Sequence, residues 1–265
     1  VNIRLRKMGQ VQTKEFSLLC WNIFGLDNHF LRERTLAICE LVKEKKPDVV
    51  YFQEVIPATW DTIKHELGAE YSMYRHETVR CHYFHNLMVR NGSAVVLAKE
   101  GVTADMFPGT GQGRHLLKAP TTFNDIRIQF MTSHLESLPT DREERKKQLK
   151  SCFDIMKELE KTSMVTIFGG DLNLEDSELD EIGGKPENIR DAWEVCGSDK
   201  NHELTWHTDN PTKRIDRMYY CPGDGKLQPT SLELVGKDKL VKCGVLPSDH
   251  YGLFIKFQIQ GPAQT

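Results

Sequence analysis

No stretch of this 265-residue sequence runs to the roughly 18 consecutive apolar residues that a membrane-spanning helix needs, so the membrane is set aside. The opening segment, "VNIRLRKMGQVQTKEF", has charge but no apolar h-region, and no secretory signal is read in it. Cysteine is sparse and unpatterned. The seven cysteines (Cys20, Cys39, Cys81, Cys152, Cys196, Cys221 and Cys243) are odd in number and form no C-x-x-C pair, which points to free thiols in a reducing compartment rather than a disulfide framework. Close His or Cys pairs of the kind that hold structural zinc are missing too, and no G-x-S-x-G elbow supports a serine hydrolase. Nor is there an excess of basic charge: a net charge of -3 argues against a protein that coats nucleic acid nonspecifically, while leaving open one that grips a single end through a local patch.

What is present is a soluble globular composition, 39% hydrophobic and 28% charged. Short apolar runs bounded by Gly, Pro, Asn or Asp read as strands: "FSLLCWNI", "DVVYFQEV", "SAVVLA", "IRIQFMTSHL", "MVTIFGGDLNL", "RIDRMYYC" and "YGLFIKFQI". Helical patterns lie between them at about 30–45, 58–67 and 141–161. The charge run "REERKKQLK" in the third helix is expected to be a solvated face, and the polar stretches 105–114 and 199–214 to be loops. With no linker, repeat or low-complexity segment, the chain reads as a single domain over 1–265, its ordered core at about 16–258.

Four of the apolar runs end in acids or amides: Asn22 in "WNIFG", Glu54 in "YFQEV", Asp171 and Asn173 in "GGDLNL", Asp249 and His250 in "PSDHYGL". Each alone has a plainer reading, as a strand-end hydrogen bonder, a salt-bridge partner, a turn or a cap. Yet a core has no use for unpaired carboxylates, and bringing the four ends together explains them all. Phosphodiester hydrolysis needs a hard cation, an activated water and donors for the charge on the phosphoryl oxygens. Glu54 and Asp249 offer oxygen ligands suited to magnesium or manganese, Asp171 can orient and deprotonate the water, and Asn22, Asn173 and His250 can donate to the oxyanion.

The ordered set "CWNI", "FQEV", "TSHLES", "GGDLNL" and "PSDHYGL" resembles the endonuclease/exonuclease/phosphatase superfamily. That resemblance implies a four-layered α-β-β-α sandwich, two mixed sheets flanked by helices. "WNIFGLD", "QEVIP", "MTSHLES", "GGKPENIRDAWE" and "LTWHT" are similar to one branch of it, enzymes that hydrolyse the phosphotyrosyl bond between a topoisomerase and the 5' end of DNA, leaving a 5' phosphate. The same resemblance implies a magnesium-dependent repair enzyme (with manganese as the alternative) of nucleus and cytoplasm. Its partner would be a DNA 5' end carrying a tyrosine or topoisomerase peptide, met as a monomer. His134 and Ser137 then fall where the family contacts the scissile phosphate, Arg114 where an arginine faces the tyrosine ring, and Trp206 where an aromatic wall lines the DNA trench. Ser248 joins them as a substrate contact. Two other readings stand beside this one: another nuclease or phosphodiesterase of the superfamily acting on DNA or RNA ends, and a noncatalytic end-binding protein. The intact set of Glu54, Asp171 and His250 speaks against the latter.

Three departures accompany the resemblance. Phe24 stands where the family motif reads Asp, Glu175 where it reads Arg, and Asn91 where an aromatic beside the 5' nucleotide is expected, after a longer segment at 74–90. The first two losses are of opposite charge, which suggests an ion pair removed as a unit.

Overall fold

Strand β1 (Glu15–Asn22) sorts its apolar residues by alternation: Leu18 and Cys20 enter one core while Leu19 and Trp21 enter another. A strand buried on both faces reads as a continuous apolar run, which is why "SLLCW" carries no polar break. The same split recurs in β2 (Val49–Val55), with Val49 and Tyr51 on one side and Val50 and Phe52 on the other. This is a computed structural model describing residues 15–76, 82–206, 210–224 and 226–259; residues 77–81 of the 74–90 segment, Cys81 among them, and the two ends of the expected domain lie outside the described residues.

The remaining strands are β3 (Tyr71–Arg75), β4 (Phe84–Arg90), β5 (Val95–Leu97), β6 (Thr103–Met106), β7 (His115–Phe123), β8 (Ile126–Thr132), β9 (Val165–Asp171), β10 (Arg190–Asp191), β11 (Asp216–Cys221), β12 (Leu227–Val235) and β13 (Gly252–Ile259). Among the described residues they form a six-stranded sheet, β12-β13-β1-β2-β4-β3, and a seven-stranded sheet, β10-β11-β9-β8-β7-β5 with β6 beside β7. Both are mixed: β1 is parallel to β2 and antiparallel to β13, and β9 is parallel to β8 and antiparallel to β11. The inner core between the sheets holds Leu18, Tyr51, Phe130, Ile167 and Phe257. Helices α1 (Leu31–Lys45) and α2 (Pro57–Leu67) cover the outer face of the first sheet through Ile38, Val42, Trp60 and Ile63. Helix α3 (Arg142–Glu160) covers the second through Leu149, Phe153 and Met156. The result is the expected four-layered sandwich. No helix among the described residues is long and apolar enough to cross a membrane, and the six described cysteines form no disulfide.

The topology gathers the chemistry at one end. Asn22 ends β1 and Asp171 ends β9, Asp216 pairs with Asp171 across the β9/β11 ladder, and the turn before β13 returns to β1, where the Trp21 indole donates to the His250 carbonyl at 2.8 Å.

Candidate active site

The centre of the site is one carboxylate oxygen. Asp171 Oδ2 accepts from Asn22 Nδ2 at 2.9 Å and lies 3.3 Å from His134 Nε2 and 3.7 Å from His250 Nε2. Its other oxygen accepts from the Asn173 amide at 3.1 Å. Asn22, Asp171, His134 and His250 are all buried. Burial pushes the Asp171 carboxyl up to about 7, against the pull of His250 and with Asp216 adding to the rise. Burial would by itself depress His250, but Asp216 and then Asp171 outweigh it and raise the imidazole to about 10. The main contact is short: His250 Nδ1 meets Asp216 Oδ2 at 2.8 Å. His134 takes the opposite state, since burial, with Arg114 and other cationic neighbours adding, holds it well below the usual histidine range. With His134 neutral, its Nε2 faces the Asp171 carboxylate.

Asp216 was not singled out from the sequence. It sits inside "RIDRMYYC", and its signal was an acid next to Ile215 at the start of a strand that runs on into Met218, Tyr219 and Tyr220; it is buried here.

Glu54 and Asp249 face the same cavity, of about 510 Å³, along with His134, Asp171, Asn173 and His250. Burial raises both carboxyls, with Asp249 adding to the rise at Glu54 and Asp216 to that at Asp249, against the pull of His250. Asp249 Oδ1 is buried with no hydrogen-bond partner among the described residues, while Oδ2 accepts from the Trp206 indole at 3.2 Å. Glu54, His134 and Asp171 also bring one ligand atom each within 4.8 Å of one another. Crowded, desolvated hard-oxygen donors with an orphaned lone pair fit a magnesium or manganese ion, which would neutralise them.

Three residues of the site carry backbone strain. Phe24, Glu54 and Asn173 all adopt left-handed conformations, at φ 50°, 55° and 49°. In that conformation the Phe24 amide donates to Asn22 Oδ1 at 3.0 Å, which turns the Asn22 amide so that Nδ2 points at Asp171. Gly25 follows because the chain passes directly over the end of β2: a Cβ there would lie 2.1 Å from the Glu54 carbonyl oxygen.

The "SHLES" segment divides its labour. His134 reaches Asp171, Leu135 enters the core, and buried Glu136 accepts from Thr110 Oγ1 at 2.7 Å and the Gly111 amide at 2.9 Å, tying down the 107–114 loop. Ser137 lines the cavity, its amide donating to Gln112 Oε1 at 2.9 Å. Arg114 lies behind this wall instead of on the cavity, buried, with its guanidinium 5.3 Å from the centroid of the chain's own Tyr83 ring. Ser248 is also set back: its hydroxyl donates to the Asn22 carbonyl at 2.6 Å and accepts from the His250 amide at 3.1 Å, so it clamps two site strands together.

Two expectations need correction. Asn91 is not at the cavity; it follows β4 at the far end, bonded to Ser72 and Ala69, whereas Tyr83, just before β4 begins, stands 6.1 Å from the His134 ring. The charge run in α3 is not wholly solvated either. Arg145 is buried and forks onto Glu178 at 2.5 and 3.1 Å, and buried Gln148 accepts from the Glu136 amide, so this face locks α3 to α4 (Asp176–Glu181) and to the site loop.

Phe24 and Glu175 both line the cavity but have separate partners. The Phe24 ring lies 5.2 Å from the Arg34 guanidinium. Glu175 accepts from Lys213 Nζ at 2.8 Å, and that ammonium also stands 5.9 Å from the Trp206 ring centroid. Trp206 lines the cavity as expected, its backbone pairing with Lys213 and His250.

The sequence matches the Endonuclease/Exonuclease/phosphatase family over residues 19–250. It is 37% identical over 255 residues to tyrosyl-DNA phosphodiesterase 2 of Gallus gallus, covering 92% of this chain and 67% of that protein. To the Homo sapiens protein of the same name it is 35% identical over 255 residues, covering 92% and 68%. The crystal structure of D. rerio TDP2 complexed with single strand DNA product aligns with a TM-score of 0.84 at 32% identity, over 93% of this chain and 100% of that one. A Bacteroides vulgatus endonuclease/exonuclease/phosphatase, at 15% identity and a TM-score of 0.76, shares the fold.

Proposed function

The chain belongs to the endonuclease/exonuclease/phosphatase family, in its tyrosyl-DNA phosphodiesterase 2 branch, and from that premise we propose that it hydrolyses the phosphodiester between a topoisomerase tyrosine and the 5' end of DNA, leaving a 5' phosphate. The observation that carries this reading is the Asp171 carboxylate, buried at the cavity wall and held by Asn22, His134 and His250. With its proton affinity raised toward neutrality, Asp171 accepts the proton of an attacking water, the strength a general base needs. Asn22 and Asn173 fix the direction in which that carboxylate points. Protonated His250, held by Asp216, presents Nε2–H to the phosphoryl oxygens as negative charge builds on them. The leaving tyrosine is a phenol of pKa about 10, so the bond breaks without a strong general acid. Glu54 and Asp249 would hold a magnesium or manganese ion, which when bound supplies positive charge against the phosphate.

The protein acts as a monomer of nucleus and cytoplasm, a location that its free thiols suit. The deciding assay compares 5'-tyrosyl, 3'-tyrosyl, abasic and plain oligonucleotide ends, with magnesium and with chelator. Release from the 5'-tyrosyl end alone is expected. Cleavage of plain or abasic ends would move the enzyme to another nuclease activity of the family.

A further inference from the structure

Three Lys and Arg side chains line the catalytic cavity among the described residues: Arg142, Arg145 and Lys213. Two of them are committed. Arg145 is buried on Glu178, and Arg142 places two nitrogens on Glu181 at 2.6 and 2.7 Å. Lys213 is held by fewer contacts than either. Its ammonium has three donors, one of which is spent on Glu175 at 2.8 Å, and both side chains of that pair are about half exposed, at 46% and 54%. An exposed pair of this kind is weak and readily exchanged.

Its place is well defined nonetheless. The Lys213 carbonyl accepts from the amides of Thr205 and Trp206 at 2.9 and 3.0 Å, and the Thr212 amide donates to the Trp206 carbonyl at 3.1 Å. Trp206 is in turn fastened to Asp249 through its indole. Backbone pairing therefore carries Lys213 and Trp206 as one unit on the cavity rim, a cation and a flat ring side by side. That is the combination that single-stranded nucleic acid recognition uses, an aromatic face for a base and a positive charge for the backbone.

We propose that Lys213 is a strand-binding residue: on binding, its ammonium leaves Glu175 for a backbone phosphate of the DNA strand lying against Trp206. The inference rests on the reading that the cavity takes a DNA 5' end. It gives Glu175 a function in this chain, as the carboxylate that holds the ammonium at the rim when no phosphate is there and competes with the strand for it.

The test is binding, in chelator, of a fluorescent 5'-phosphorylated oligothymidylate to the unmodified protein and to Lys213→Gln, Lys213→Arg and Glu175→Gln over a salt series. One lost phosphate contact should flatten the plot of log affinity against log salt by about 0.7 in Lys213→Gln, the value for a single strand. Lys213→Arg should keep the slope. Glu175→Gln should tighten binding, and by less when Lys213→Gln is also present. An unchanged slope in Lys213→Gln, with the melting temperature of the variant preserved, overturns the inference and leaves the functional reading standing. Failure of the unmodified protein to bind the oligonucleotide at all overturns both.

Discussion

The floor of the cavity and its rim are built on different principles. On the floor Asn22, Asp171, Asp216, His134 and His250 are buried at strand ends, and each is held by another member of the set or by the backbone. On the rim Glu175 and Lys213 meet in an exposed ion pair, and Phe24 packs under Arg34. Buried polar groups cannot be changed singly without leaving a partner unsatisfied, whereas exposed pairs contribute little and can be exchanged. The departures from the family motif at 24 and 175 both fall on the rim, where chemistry does not forbid them.

The contrast is sharpest for changes to the floor. Chelation should abolish turnover, and Glu54→Ala should shift activity to higher magnesium with partial rescue as the ion is raised; an unchanged magnesium dependence would remove Glu54 from the ligand set. Asp171→Asn and His250→Ala should each lower kcat by about 10²–10⁴-fold, the usual worth of general acid–base groups, in steady-state assays on a 5'-tyrosyl oligonucleotide. A loss below tenfold would mean that the base lies elsewhere. Asp216→Asn keeps the shape but weakens the hold on His250, and a loss of about 10–100-fold is expected, as for other outer partners of functional histidines.

A pH effect follows from two histidines behind the floor. His85 and His115 are buried with stacked rings 4.1 Å apart, and among the described residues Nε2 of each has no hydrogen-bond partner. Burial, with neighbouring cations, lowers His115 to about 4 and His85 well below the ordinary value. The unfolded chain therefore binds protons from about pH 6.5 downward that the folded protein refuses, so stability present above that pH is lost as pH falls toward 4. The slope should approach ~1.4 kcal/mol per pH unit for each histidine. Urea midpoints at pH 7, 6 and 5 should fall less in His115→Gln than in the unmodified protein; parallel curves would show that the histidine does not titrate on unfolding.

The smallest effects are expected at the rim, and they decide whether Phe24 and Glu175 replace an ion pair as a unit. Since Phe24 contacts Arg34 and Glu175 contacts Lys213, a cycle of Phe24→Asp and Glu175→Arg should be additive within about 0.3–0.5 kcal/mol. The coupling should appear between Glu175 and Lys213, at about 0.2–1 kcal/mol for an exposed pair. The reverse pattern would restore the older pair.

Much of the fold was legible because β1, β2, β8, β9, β11 and β13 each carry enough apolar residues to mark a strand despite scattered polar positions such as Gln129, Arg217 and Lys256. Strands β7 and β12 were not, because Pro120 and Pro229 interrupt them and proline argues against a strand interior. β4 hides behind His85 and Asn86, polar residues buried where the apolar pattern would call for neither. Arg145 was misjudged for a related reason: in "REERKKQLK" nothing local distinguishes the one arginine that turns inward.

By itself the sequence determined the layers and the types of group at the site, because both are local: side-chain alternation assigns each strand two buried faces, and an acid or amide at the end of an apolar run marks a place where burial needs a partner. Only the tertiary structure decided who the partners are. Asn22 meets Asp171 across 149 residues of chain, and Asp216 meets His250 across 34. Those pairings depend on the register of ladders and the stacking of two sheets, which no local pattern encodes. Protonation follows the same rule, since the charge on His250 and the neutrality of His134 come from burial and from neighbours that only packing brings near.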